Sequence, residues 1–277
     1  MKTICYYHRD DLDGVGSAAI VKKSIPEAEL YPVTYSDKPD LELIKDNKVI
    51  IVDFSFKEMK EIVALAEEVT WIDHHKTAKE LFPKLWINED LPGIRNLDKA
   101  AIELTWEWFY PYKTTPMAIK LIGDRDIWKF AYPETRAFSE SANLTIKSPD
   151  DAIWYKLLEE NSEHVVSNLL EKGEVLLEAK QKRARKSFYD GKDITFHGHK
   201  ARLINTNHDV SDVGQFTYDL MNYPLALMYS DRGEETIVSL RSKTVDVSAI
   251  AKQYGGGGHK YAAGFSVPRK KFLEFKK

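Results

Sequence analysis

Three short stretches of this chain carry carboxylate and imidazole groups at spacings suited to metal chemistry. HRDDLDG places His8, Asp11 and Asp13 where an apolar run ends and a helical pattern begins. Asp11 and Asp13 lie two apart, so an extended backbone turns both to one face. Gly14 then gives the chain freedom to turn. KVIIVDF delivers Asp53 behind a second apolar run, and VTWIDHH delivers Asp73, His74 and His75 behind a third. Farther on, MAIKLIGDRDIWKF carries Asp124 and Asp126 past another apolar segment. Hard oxygen ligands with imidazole suit manganese or another divalent ion better than they suit thiolate-preferring metals. Adjacent histidines at a strand end face different sides, so one can bind metal while its neighbour meets a substrate. Each stretch alone has a plainer reading, as an N-cap or a polar strand end. The ordered set of all of them is what suggests a metal site.

Such residues converge only if strand ends are gathered by a common frame. TICYYH, ELYPVTY, KVIIVDFSF and VTWIDHH read as strands, while GVGSAAIVKKSI and KEMKEIVALAEE read as helices. Continuous apolar strands alternating with helices imply a parallel sheet covered on both faces, which binds ligands at the carboxyl ends of its strands. DDAIWYKLLEE is a short helix candidate, and the stretch from Ser162 to Asp190 a long one with Gly173 as a weak point. From about Asp193, strand-like DITFHG, ARLINT, PLALMYSD and ETIVSLRS alternate with helical VGQFTYDLM and VSAIAKQYG. The expected architecture is α/β in two domains. A parallel-sheet domain spans residues 1–135, a helical connector 136–192, and a smaller α/β domain 193–277.

HxxDxDG, then an aspartate closing an apolar strand, then Asp-His-His closing the next, resemble the DHH phosphoesterase superfamily. SLRS followed by GGGGHKYAAGF resembles its DHH-associated C-terminal substrate-binding domain, so the resemblance covers nearly the whole chain. It implies two divalent ions in the first domain, most often Mn2+, with Mg2+ or Co2+ as alternatives. By the same resemblance His8 and Asp11 hold one ion, Asp13 and His74 the other, and Asp53 bridges the two. Asp126, four residues before Phe130, fits the aspartate that completes the second site, with Asp124 as its rival. The spacing of the first motif departs from the usual pattern, so Asp10 competes with Asp11. Asp73 is expected to orient a neighbouring imidazole, and His75 to contact the scissile phosphate. In the second domain the glycine run, with Gly256, Gly257 and Gly258, lets backbone N–H groups approach an anion closely. HKYAAG is expected to begin a helix that adds positive potential. Arg241, Ser242 and His259 are the expected contacts to a phosphate or base.

The activity implied is hydrolysis of a phosphodiester by water activated between two closely spaced ions, which also relieve negative charge at phosphorus. The leading substrates are short single-stranded RNA or dinucleotides, released as nucleoside 5′-monophosphates. Alternatives are a cyclic (di)nucleotide phosphodiesterase, a 3′-phosphoadenosine 5′-phosphate phosphatase, or a catalytically silent nucleotide-binding partner subunit. The formal net charge of −3 argues against a broad basic face for long duplexes. KQKRARK and the tail PRKKFLEFKK read as solvated charge. Cys5 is the single cysteine, placed in an apolar run where a buried inert thiol is expected, and no intrachain disulfide can form. The N-terminus turns acidic too soon for a secretory signal, and no apolar stretch approaches the ~20 residues that span a bilayer. A cytoplasmic location without membrane contact is therefore expected, and a homodimer is the assembly that the resemblance suggests.

Overall fold

The computed structural model describes residues 1–276 and divides into two compact units, Met1–Leu176 and the chain from Leu177 on. In the first unit, strands β1 (Thr3–His8), β2 (Glu29–Val33), β3 (Lys48–Val52) and β4 (Glu68–Ile72) form a sheet in the order β2-β1-β3-β4. All neighbouring pairs are parallel. Helix α1 (Leu12–Ser24) joins β1 to β2, α2 (Leu41–Ile44) precedes β3, and α3 (Met59–Leu65) joins β3 to β4. Beyond β4 come α4 (Lys76–Leu81), α5 (Pro83–Trp86), α6 (Ala101–Phe109), α7 (Met117–Asp126), α8 (Thr135–Thr145) and α9 (Trp154–Leu157). Helix α10 (Glu163–Asp190) runs unbroken through Gly173 and contains the boundary between the units.

The apolar strands are continuous because both faces of the sheet are covered. Cys5, Tyr7, Ile50, Val52 and Ile72 pack with residues of α1, α6, α7 and α8. The alternate positions Ile4, Tyr6, Val49, Ile51 and Trp71 pack with Met59, Ile62, Phe82 and Trp86 on the other face. Each fully buried side chain of this kind contributes about 1.5–3 kcal/mol. The edge position of β2 explains how it tolerates Pro32, which has no N–H for a sheet ladder. Residues 136–192, expected as a connector, are divided between the units. Phe138, Ala142, Trp154 and Leu157 belong to the first unit's core and draw α8 and α9 into it.

Beyond α5 the chain returns, and residues 92–95 run beside β4 in the parallel sense. Trp71 N–H donates to Pro92 O at 2.8 Å, and Asp73 N–H donates to Ile94 O at 3.1 Å. This return is held by Arg95, whose guanidinium donates to the carbonyl oxygens of Trp71, Trp86, Asn88, Leu91 and Pro92 at 2.9–3.2 Å.

In the second unit, β5 (Lys192–Phe196), β6 (His199–Asn205), β7 (Leu225–Arg232), β8 (Glu235–Arg241), β9 (Gly257–His259) and β10 (Ala262–Pro268) form a mixed sheet in the order β5-β6-β7-β8-β10-β9. Strands β6 and β7 run parallel, and the other neighbouring pairs run antiparallel. Helices α11 (Val210–Gln215), α12 (Val247–Lys252) and α13 (Arg269–Phe272) complete it, with a π-helical turn at Phe216–Leu220. One face packs Leu227, Leu240 and Phe265 with α12; the other packs Ile204, Ala226 and Met228 with Phe188 of α10. Within KQKRARK, Lys182 and Lys186 pair along the helix with Glu178 and Asp190, and Arg183 pairs with Asp209. Lys277, the last residue of the basic tail, lies outside the described residues. No helix among the described residues is long and apolar enough to cross a membrane.

Candidate metal centre

The strand order reverses between β1 and β3, because the connection from β1 leads to β2 at one edge of the sheet and that from β3 leads to β4 at the other. A parallel sheet opens a crevice at the carboxyl ends of its strands at such a point. His8 is the last residue of β1, Asp53 follows β3, and Asp73, His74 and His75 follow β4. Asp11 caps α1, accepting the Gly14 N–H at 3.0 Å, and the same carboxylate lies 3.0 Å from His8 Nδ1. A Cβ on Gly14 would sit 2.0 Å from the His8 carbonyl oxygen, so the tight turn between β1 and α1 requires glycine. Asp13 lies in the first turn of α1, and its two oxygens accept the Ala101 and Ile102 N–H groups at 2.8 and 2.7 Å.

These residues meet in two groups linked by Asp53, which belongs to the first and lies against His74 of the second. His8, Asp11 and Asp53 make one, with His8 Nδ1 3.7 Å from Asp53 Oδ2. Asp13, His74 and Asp126 make the other. There His74 Nε2 stands 3.4 Å from Asp13, 3.3 Å from Asp126 and 3.2 Å from Asp53 Oδ1. A further set of possible ligands joins Asp53, His74 and His75. Asp53 is 1% exposed, and neither of its oxygens has a hydrogen-bond partner of adequate geometry. Its backbone is held at φ 56, in the left-handed region, where aspartate is among the better-tolerated residues. A buried carboxylate in the left-handed region that faces imidazoles but makes no hydrogen bond suits divalent cations.

The four aspartates left open by the sequence differ in their surroundings. Asp10 is exposed and lies 3.8 Å from His8 Nε2, whereas Asp11 stands in the group. Asp126 lies in the group at the carboxyl end of α7, so this acid comes from a helix rather than a strand end. Asp124 is turned away. It accepts the Ala131 N–H at 2.8 Å, the Tyr132 N–H at 3.3 Å and the Thr135 hydroxyl. Asp73 is fully buried and holds His75, accepting its backbone N–H at 3.0 Å and lying 2.8 Å from its Nδ1.

The charges of the site act on one another. Asp11, and then Asp53, raise the His8 imidazole to about 10 against the opposing effect of burial. Burial alone would lower His75, but Asp73 outweighs it and raises the ring to about 9. Burial, with Asp53 and Asp11 nearby, lifts Asp126 to about 6, and burial beside Asp53 raises Asp13. Burial also opposes the charge on Asp53, yet His74 and His8 hold its carboxyl below the usual range. The proton-bound histidines are thus the counter-charges that cations would replace.

In the second unit, Ser242 is 2% exposed, and its hydroxyl is taken up by the loop after β8. It donates to Pro224 O at 2.6 Å and accepts the Thr244 and Val245 N–H groups. Arg241 ends β8, half-buried, while Gly257, Gly258 and His259 form β9 on the exposed edge. The helix expected from HKYAAG does not form. Gly258 at φ 137 and the turn after His259 lead into β10, whose Ala263, Phe265 and Val267 alternate into the core. The two-residue alternation of AAGFSVP was the available signal.

Two aromatic residues at the first unit's site went unread in the sequence. The Tyr35 hydroxyl lies 3.4 Å from His75 Nε2, and its ring is tilted against His8 at 5.3 Å. Trp128 lines a cleft of about 300 Å³ together with Asp11, Asp13, Arg125, Asp126 and Asn143. Tyr35 follows a strand, as Asp53 does, but a lone tyrosine carries no spacing signal.

Comparison with known proteins matches residues 2–122 to the family described as "DHH family, N-terminal domain" and residues 205–277 to the "DHHA1 domain". The chain is 29% identical to the uncharacterized protein R106 of Acanthamoeba polyphaga mimivirus, over 95% of this chain and 67% of that protein. It is 22% identical to the bifunctional oligoribonuclease and PAP phosphatase NrnA of Mycoplasma genitalium, over 86% of this chain and 74% of the relative. Among solved structures, exonuclease RecJ bound to manganese has a TM-score of 0.55 at 13% identity, covering 99% of this chain and 88% of that one. At that identity the likeness concerns the fold.

Proposed function

The chain belongs to the DHH phosphoesterase superfamily, and we propose on that premise that it hydrolyses short oligoribonucleotides or dinucleotides to nucleoside 5′-monophosphates. The observation that carries this reading is the convergence of carboxylates and imidazoles from residues 8 to 126 on Asp53, whose buried oxygens have no hydrogen-bond partner. His8, Asp11 and Asp53 would hold one divalent ion; Asp13, Asp53, His74 and Asp126 would hold the other, with manganese as the favoured metal. Bound there, the pair supplies positive charge that acidifies a water and offsets the charge of the phosphorane-like transition state. His75 is anchored through Nδ1 by Asp73, the carboxylate that most raises its ring, and we assign it to a phosphate oxygen. Tyr35 beside it helps fix where that imidazole points. In the second unit, Arg241, His259 and the backbone at Gly256–Gly258 are the proposed substrate-binding groups. The activities named for the Mycoplasma relative support a phosphatase acting on 3′-phosphoadenosine 5′-phosphate as the second reading.

A Mn2+-supplemented panel separates these readings. Dinucleotide RNA, a five-residue RNA, a 24-residue RNA, cyclic di-AMP and 3′-phosphoadenosine 5′-phosphate are offered, and products are resolved by chromatography. Fast release of mononucleotides from the two shortest RNAs is expected. No turnover of any of them would remove the enzyme reading.

Metal affinity should depend on pH with a definite sign. The His8 ring, raised to about 10, carries a proton that a ligated cation must displace. Apparent Mn2+ affinity is therefore expected to rise between pH 6 and 8, by about tenfold per unit for each proton released. Competition titrations at three pH values read this directly, and a flat profile would mean that the histidines do not ligate.

A further inference from the structure

We infer that the cleft beside the carboxylates seats a nucleobase, and that Trp128 is the surface on which the base stacks. This rests on the nucleotide-hydrolysing reading above and adds a substrate-positioning residue to it. The cleft of about 300 Å³ has metal-site acids Asp11, Asp13 and Asp126 in its wall, together with Trp128 and Asn143. That volume is at the lower end of what small-molecule sites use, roughly 300 Å³ and upward. A phosphate at the acids therefore shares one cavity with an indole and an amide side chain. An indole binds the π-face of any base, which suits short substrates of mixed sequence.

The indole is presented rather than merely exposed. Trp128 leaves 56% of its surface open, although its size favours burial. Its backbone sits at φ 59 and that of Phe130 at φ 50, a conformation bulky side chains rarely adopt and one that persists only where the surroundings enforce it. Asp124 does the enforcing. Its backbone carbonyl accepts the Lys129 N–H at 3.0 Å, and its carboxylate accepts the Ala131 and Tyr132 N–H groups and the Thr135 hydroxyl. Burial opposes the charge on Asp124, but these hydrogen bonds outweigh it and hold the carboxyl below its ordinary range. The Arg125 guanidinium carbon lies 4.1 Å from the Trp128 ring centroid, and Phe130 meets the indole edge-on at 5.0 Å. The ring is thus braced by Arg125 and Phe130 while most of it faces solvent. Asn143, also exposed, donates from Nδ2 to Ser139 O at 2.8 Å, which leaves its Oδ1 and its second amide hydrogen for a base edge.

The test compares AMP with ribose 5-phosphate, which share a phosphate and a sugar but differ by the base. Both are titrated calorimetrically into the full chain with Mn2+. Wild type should bind AMP the more tightly. Trp128→Ala should weaken AMP binding by about 5- to 150-fold, the usual range for one stacked base, and leave ribose 5-phosphate unchanged. Trp128→Tyr should recover most of the loss. The inference is overturned if wild type does not distinguish the two ligands, if Trp128→Ala leaves AMP binding intact, or if that variant loses both ligands equally. A wild type that hydrolyses nothing in the substrate panel but shows the AMP preference and its loss in Trp128→Ala would remove the hydrolase reading and leave the stacking site standing.

Discussion

Asp53→Asn should reduce Mn2+-dependent hydrolysis by at least about 10³-fold, because each proposed ion loses a ligand it shares with the other. Asparagine preserves the shape of the side chain and tolerates the left-handed backbone that Asp53 adopts at φ 56, so the variant should fold. Folding and metal binding can then be read separately. With Mn2+ at 100 times its Kd, wild type should gain about 2.7 kcal/mol of stability by mass action. Asp53→Asn should lose most of that gain, and its circular dichroism should match wild type. A variant with wild-type turnover would sink the bridging assignment. One that loses turnover but keeps the whole metal-dependent rise in Tm would assign Asp53 to substrate rather than to the ions.

The second large effect concerns stability. Arg95→Ala should destabilise the first unit by about 3 kcal/mol or more. It strips the donor from Trp71 O, Trp86 O and Leu91 O, each costing about 1–3 kcal/mol when left buried without a partner, while Pro92 O and Asn88 O keep the Trp71 and Leu91 N–H groups. Arg95 is half-buried, and Trp71 O, Trp86 O, Asn88 O, Leu91 O and Pro92 O all accept from it. Arg95→Lys should rescue little of this, since one ammonium cannot reproduce the planar fork that reaches five acceptors. Denaturant unfolding followed by tryptophan fluorescence suits the question, because Trp71 and Trp86 pack against each other at 5.8 Å and lie beside the guanidinium. An Arg95→Ala midpoint close to that of wild type would show that water or a rearranged loop satisfies those carbonyls.

Strands β1, β3 and β4 were legible because burial on both faces of a parallel sheet writes an unbroken apolar run, and the acids then stand at the run's end. The positions of His8, Asp53, Asp73 and His74 followed from that pattern alone. Asp126 did not. It leaves a helix, and only its spacing to Phe130 separated it from Asp124, whose hydrogen-bonded burial leaves no trace in residue type. The boundary between the units was also hidden. Residues 136–176 carry helical periodicity that is equally at home in a connector or on a core, and the contacts of Phe138 and Trp154 decide it. HKYAAGF misled because glycine followed by alanines reads as a helix start, whereas pairing with β8 commits the segment to a strand. Trp128 and Tyr35 were missed because an exposed aromatic residue is informative only once its neighbours are known.

The grip of α6 on Asp13 has a consequence for how the chain is made. The two N–H groups that receive this carboxylate belong to Ala101 and Ile102, 88 and 89 residues downstream. While the polypeptide is being synthesised, β1 and the start of α1 leave the ribosome long before those donors exist. Until they arrive Asp13 has water in place of these two donors. The first β-α-β segment can therefore form its apolar contacts before the carboxylate gains its main-chain partners. The metal-binding acids come together only once Asp126 has been added, when most of the first unit is already present.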